Sequence, residues 1–277
     1  MRSQAFILNK IDYMGRWFVN SLEYTINLLL MTYLSIRTAV FEQAQGFRTV
    51  FSVVSQQIYF TGWQALPLIS ALAIAAGSIV IMQSSFQLNF LGGQGQIGKL
   101  LIVIIVREIG PLLTALIVIA RSGTAVASEL GNMKVNNEIE ALRSLGINPL
   151  SYIVFPRLIG GLLSVLCLSF YFVLIALMGG FFITKLIHDM PIDFFIVNIA
   201  NALEANDVVL FLVKNTFSGV IIFAVSCYQG LKVGHSPNEV PVATTKAVVN
   251  SIIYVVGFFV IATAIFYINE LTRFGVI

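Results

Sequence analysis

The sequence predicts an all-α integral membrane protein, and three observations carry that prediction. Only 10% of the 277 residues are charged, against roughly 25% in an ordinary soluble domain. The apolar set reaches 58% and the mean hydropathy is +0.91. A soluble fold cannot hide that much, since even a domain of about 300 residues buries only some three quarters of the surface its unfolded chain exposes. The apolar residues are also gathered into stretches of the length a bilayer requires, about 20 residues for a hydrocarbon core of ~30 Å.

Residues 1–57 form the first unit, a cytoplasmic and interfacial region. Met1–Gly15 lacks a short apolar core followed by a small-residue cleavage site, so no secretory signal is expected. Trp17–Leu34 is apolar but interrupted by Asn20, Ser21, Glu23 and Asn27, and it is flanked by Arg16 and Arg37. That pattern fits an amphipathic helix lying in the interface, with a sixth span as the rival reading. Residues 58–277 form the second unit, with spans at about 59–83, 98–121, 153–187, 207–230 and 246–269. Pro156 opens the third span, where proline is tolerated. Ala73 and Gly77 in the first are four apart, a small-residue pair that permits close helix contact, within the chain or between subunits.

Basic residues between spans set the orientation. With the N-terminus inside, residues 1–57, 121–157 and 230–246 hold five, four and two of them, eleven of the 16 in the chain. The N-terminus is therefore expected in the cytoplasm and the C-terminus outside.

Several features point away from other functions. Gly92-Gly93-Gln94-Gly95-Gln96-Ile97-Gly98-Lys99-Leu100 matches two phosphate-loop patterns, but no strand precedes it and Leu100 stands where a Ser or Thr would hold magnesium. It reads as a turn between spans, and no ATPase is expected in this chain. Cys167 and Cys227 are 60 positions apart in apolar runs, so neither a disulfide framework nor a metal cluster follows and both read as small packing residues. His188 and His235 are isolated and read as loop residues. Asp189, Asp193, Glu204 and Asp207 read as a solvated acidic outer loop. The small basic excess is no nucleic-acid footprint.

Span two carries Arg107-Glu108-Ile109-Gly110-Pro111. Glu108 lies ten residues past Gly98, about 15 Å into the bilayer at 1.5 Å per residue. A carboxylate at that depth costs at least a few kcal/mol unless paired or wetted. Arg107 is adjacent and points elsewhere, whereas Lys214 of span four lies at a similar depth and would meet Glu108 if the two helices pack together. Such a pair either pins two helices or lines an outward-opening substrate cavity. Pro111 predicts a kink. Between spans two and three, Val135, Ile139, Leu142 and Leu145 recur at helical spacing. Glu138, Glu140 and Arg143 project from other faces, Gly146 is a stop, and Pro149 follows. That short amphipathic helix either lies on the membrane surface or docks in a groove of a soluble partner.

With those blocks, Arg121-Ser122-Gly123-Thr124-Ala125, Glu129-Leu130-Gly131-Asn132-Met133, Glu138-Ile139-Glu140-Ala141-Leu142, Leu145-Gly146-Ile147-Asn148-Pro149, Pro156-Arg157 and Ala243–Val249, the chain resembles the MlaE (YrbE) permease family over roughly residues 50–270. The resemblance implies an N-terminal interfacial helix, five spans and a homodimer forming the membrane core of an ABC transporter that moves phospholipids between inner and outer membranes. It implies a cytoplasmic ATPase carrying ATP and Mg²⁺, a periplasmic MCE-domain hexamer and a STAS-domain protein as partners, with no cofactor in this chain. Arg107, Glu108, Ile109 and Lys214 would line or support an outward-facing lipid pocket at the dimer axis. Glu138, Ile139, Glu140, Leu142, Arg143 and Leu145 would form the coupling helix received by the ATPase. One stretch departs from the family, since Gly234–Pro241 replaces a glycine-rich loop, and no ATPase contact is carried over to it. Two other functions fit the same residues: a secondary transporter in which Glu108 carries a proton, and a structural anchor for an outer lipid-binding partner.

Overall fold

The computed structural model describes residues 2–41, 47–91, 97–188 and 192–273. Among them the regular structure is helical, as a lipid solvent dictates, because every backbone donor and acceptor in the hydrocarbon must be satisfied within its own segment. The protein is an all-α multi-pass membrane protein. Five stretches of the described residues are long and apolar enough to cross a bilayer: Val50–Ser84, Gly98–Val135, Leu150–Ile183, Ala205–Leu231 and Glu239–Thr272.

Helix α1 (Arg2–Phe41) is a single 40-residue element that is not among those five. Leu28 and Ser35 are buried on one face with half-buried Tyr24 and Met31, while Leu29, Leu30 and Tyr33 are exposed. The buried stripe lies against residues 150–154 and the fourth span, and Ser35 Oγ donates to the Leu150 carbonyl at 3.0 Å.

Span one starts earlier than its apolar run suggests. Helix α2 (Phe47–Thr61) continues through a 3₁₀ turn at Trp63–Ala65 into α3 (Leu66–Leu91). Gln56 and Gln57 end the apolar run in sequence, but Gln57 Nε2 donates to Thr61 Oγ1 at 2.7 Å, so the amide is satisfied on its own helix. Span two is longer at its other end. It comprises α4 (Ile97–Leu101), a π-helical stretch at Ile102–Ile109, α5 (Gly110–Val118), a π-helical turn at Ile119–Gly123 and α6 (Thr124–Val135). Arg121 does not terminate it, because its guanidinium reaches away to Gln64 Oε1 at 2.8 Å and lies 5.5 Å from the Phe60 ring centre.

After α7 (Glu138–Ser144) and a π-helical turn at Leu150–Val154 come α8 (Phe155–His188), α9 (Ile192–Ala202), α10 (Ala205–Leu231) and α11 (Glu239–Arg273). Helix α8 packs between α3 and α10, and α10 also packs on α6 and α11. The small pair in span one works inside the chain: Ala73 is fully buried, and a Cβ on Gly77 would stand 2.0 Å from the Ala176 carbonyl oxygen of α8. Cys227 is buried, whereas Cys167 is exposed on α8 rather than packed. The glycine-rich segment 92–96 and Asp189 lie outside the described residues.

Gly77→Val should therefore destabilise the α3–α8 seam by about 3 kcal/mol or more, beyond ordinary overpacking. Thermal unfolding in detergent checks this, with Leu72→Ala, at a 40% exposed position, expected to leave the midpoint unchanged.

Candidate functional site

The site is built on a backbone defect. Pro111 has no N–H, and its ring clashes with the carbonyl four residues back, which belongs to Arg107. The preceding segment relaxes into a π-helical stretch, in which the Gly110 N–H reaches the Ile105 carbonyl. The Arg107 carbonyl accepts from the Lys214 ammonium instead, at 2.8 Å.

Lys214 is fully buried, and its Nζ also donates to Glu108 Oε2 at 2.8 Å. The Glu108 carboxylate is 39% exposed and accepts from Thr263 Oγ1 on α11 at 3.1 Å. The Phe259 ring, also on α11, lies 5.5 Å from the ammonium. Spans two and four thus meet as expected, and span five completes the group. Ile109 is half-buried at the end of the π-helical stretch.

Arg107 leads in the other direction. Its Nε stands 2.5 Å from Asp207 Oδ1, and its Nη1 is 3.7 Å from Glu270, with the Phe266 ring centre 4.9 Å away. This corrects the reading of Asp207 as a solvated loop residue, because its side chain is completely buried. Asp207 sits in the first turn of α10, where its Oδ2 accepts the Glu204 N–H at 3.0 Å. A signal was present in the sequence: Glu204 and Asp207 are spaced like a capping box, and Asp207 and Lys214, seven apart, share a helix face. The two pairs are therefore set about 10 Å apart along α10. Glu270 and Thr263 carry no comparable sequence signal. Between the pairs and the core, Asn215 is fully buried and accepts from Ser169 of α8 at 2.5 Å while donating to the Phe211 carbonyl at 2.8 Å.

The predicted coupling helix is shorter than its apolar spacing. Val135 ends α6, and Asn137 turns the chain with a φ of 60°. Only Ile139 is buried, with Leu142 half-buried beside it. Leu145 leaves the shared face because the helix stops there: Gly146, at φ +76°, lets its own N–H bond the Arg143 carbonyl at 3.0 Å and the Ile147 N–H bond that of Leu142 at 3.0 Å, a Schellman closure. Leu145 is 75% exposed, and Glu138 and Arg143 are exposed beside it. Glu140 is ion-paired with Lys134 of α6, and that hydrogen bond holds its carboxyl below the ordinary carboxylate range.

Two outcomes follow. Glu108→Ala leaves a buried ammonium without its anion and should cost about 3–5 kcal/mol, more than Glu108→Gln/Lys214→Met, where both charges are removed; thermal unfolding of the purified variants tests the inequality. Because the folded Glu140 pKa is depressed, the Glu140–Lys134 clasp contributes above the unfolded carboxylate value and is lost as pH falls through the folded one. The protection factors of α7 amides, exchange rates referred to the intrinsic rate at each pH, should stay unchanged from about pH 8 to pH 5 and fall only below the ordinary carboxylate pKa.

Residues 54–265 match the family described as Permease MlaE. A "Probable ABC transporter permease protein" of Rickettsia felis is 32% identical over 204 residues, covering 74% of this chain and 79% of that protein. A protein of the same name from Rickettsia bellii is 32% identical over 205 residues, with 74% and 79% covered. "Protein TRIGALACTOSYLDIACYLGLYCEROL 1, chloroplastic" of Arabidopsis thaliana is 28% identical over 198 residues, 72% of this chain and 57% of that one. With its five spans and with the family match running over most of the chain, this protein belongs to the MlaE permease family.

Proposed function

We propose that the chain is the permease subunit of an ABC transporter that moves phospholipids between the inner and outer membranes of a bacterium. It acts as a homodimer in the inner membrane, its N-terminus cytoplasmic and its C-terminus periplasmic. ATP and Mg²⁺ belong to a separate cytoplasmic ATPase, a periplasmic MCE-domain hexamer receives or delivers lipid, and a STAS-domain protein is a further partner. The chain itself has no catalytic residues. Family membership and the relatives' names support the ABC permease part. The Arabidopsis relative, whose name is that of a galactolipid, supports lipid as cargo.

The observation that carries the reading is the asymmetry of the central pair. Lys214 is wholly buried while Glu108 is 39% exposed, in a stretch of span two whose preceding residues, 101–106, are all aliphatic. A carboxylate at that depth is costly unless paired; Lys214 and Thr263 satisfy it from the protein side, and its exposed face is open to the zwitterionic or hydrated headgroup of a lipid held at the dimer axis. Arg107, Glu108, Ile109 and Lys214 line or brace that pocket. Helix α6, the last part of span two, ends at Val135 and leads through the Asn136–Asn137 turn into α7, where exposed Leu145 with Glu138 and Arg143 offers the ATPase an apolar anchor with a charged rim.

The same half-exposed carboxylate favours one other reading, proton-coupled transport through Glu108. Co-reconstitution with the ATPase separates the two. ATP-dependent transfer of labelled phospholipid should survive collapse of the pH gradient, and Leu145→Glu should lower it by about tenfold or more, as loss of an interface anchor does, without changing the thermal midpoint. Transfer that needs the gradient and no ATP would overturn the proposal in favour of Glu108 as a proton carrier.

A further inference from the structure

At the opposite end of α10 from the Glu108 site, a second polar feature is left unused by that reading. Gln229 lies fifteen residues beyond Lys214, roughly 22 Å along the helix. There α1, the end of α10 and the start of α11 enclose a cleft of ≈ 340 Å³, within the roughly 300–1,000 Å³ of small-ligand sites. Its walls carry two ammonium groups, Lys232 and Lys246, with the amides of Gln229 and Asn250 and the Tyr24 hydroxyl.

The charge balance of this cleft is unsatisfied. Its single carboxylate, Glu239, is already engaged, accepting the Gly234 N–H at 2.7 Å. No carboxylate forms an ion pair with Lys232 or Lys246 among the described residues. Lys232 stands 5.7 Å from the Tyr228 ring centre, a contact that orients the ammonium without neutralising it. Tyr24 is held in place, stacked at 5.9 Å on Tyr254, edge-on at 5.1 Å to Tyr228, and accepting from Gln229 Nε2 at 3.1 Å. The floor is therefore preorganised and the cationic donors are free.

Height in the membrane selects the ligand. Span four ends at Leu231 and span five begins at Glu239, and the cleft is lined from the last turn of one and the first turns of the other, so it lies at the level of the headgroups. Val242, exposed on its wall, offers apolar contact beside the cations. We propose that this cleft binds a phosphate group, supplied by the headgroup of an anionic lipid in the leaflet facing the coupling helix. Binding does not depend on the transport function proposed above; only the assignment of the leaflet as cytoplasmic rests on the proposed orientation. An occupied cleft would tie α1 to α10 and α11 and so make the fold sensitive to the lipids around it.

The full chain, carrying a photoreactive diazirine residue in place of Val242, is placed in nanodiscs of phosphatidylcholine containing a minor fraction of phosphatidylglycerol. Photolysis should give phosphatidylglycerol adducts enriched about tenfold over bulk composition, the order expected of two lysines near an anionic surface. Lys232→Gln/Lys246→Gln should reduce that enrichment to the bulk ratio, whereas Glu108→Gln should leave it intact, so failure of the transport proposal would not mimic failure here. Enrichment unchanged in the lysine variant overturns the proposal. Adducts without phosphatidylglycerol preference, together with protection of Lys246 from acylation by inorganic phosphate, would also overturn it by making free phosphate the ligand.

Discussion

Pro111 cannot donate to the Arg107 carbonyl, and much of this protein's polar interior is arranged around that fact. A carbonyl left unpaired in hydrocarbon costs several kcal/mol. Lys214 satisfies it from the neighbouring helix at 2.8 Å, but a buried ammonium then needs an anion. Glu108, one residue after the defect, supplies it. The backbone break, the lysine and the carboxylate are thus one device, and removing any member leaves another uncompensated. Its second consequence is orientational: because adjacent helical residues diverge, Arg107 is directed away from Glu108 and finds Asp207 at the mouth of α10.

That arrangement makes α10 the organising element. It carries Asp207 and Lys214 toward span two, Asn215 toward Ser169 of α8, and Gln229 toward Tyr24 of α1. Span two answers from the other side, holding the ion pairs near one end and continuing through α6 toward α7 at the other. A movement of α7 would thus reach the central pair across the Asn136–Asn137 turn and along span two, through the π-helical turn at Ile119–Gly123. Such turns are frequent at functional sites because the backbone there can change register without losing its hydrogen bonds.

Much of this was legible in the sequence. Length and hydropathy suffice for five spans, since a bilayer imposes one helix length, and the depth of Glu108 and Lys214 suffices to pair them. What local reading misses is polar chemistry that is satisfied in three dimensions. Gln57 and Arg121 look like the ends of spans, yet each finds a partner on a neighbouring turn or helix and the helix runs on. Asp207 looks like a loop residue because it borders a run of acids, and only its pairing with Arg107 makes it buried. Leu145 belongs to the apolar spacing of α7, but Gly146 closes the helix before the leucine can join its face. Glu270 and Thr263 reach the site from α11, more than 150 residues from their partners Arg107 and Glu108, so no motif announces them.

The central claim is that the half-exposed Glu108 faces transported lipid rather than merely pinning two helices. The most direct measurement puts a photoreactive residue at Ile109 in the chain reconstituted with its ATPase, and analyses the adducts by mass spectrometry before and during ATP hydrolysis. The account predicts a phospholipid adduct that requires the Glu108–Lys214 pair and that falls as ATP turns over. An adduct indifferent to both the pair and ATP would contradict it, leaving the ion pair a structural pin in contact with bulk lipid.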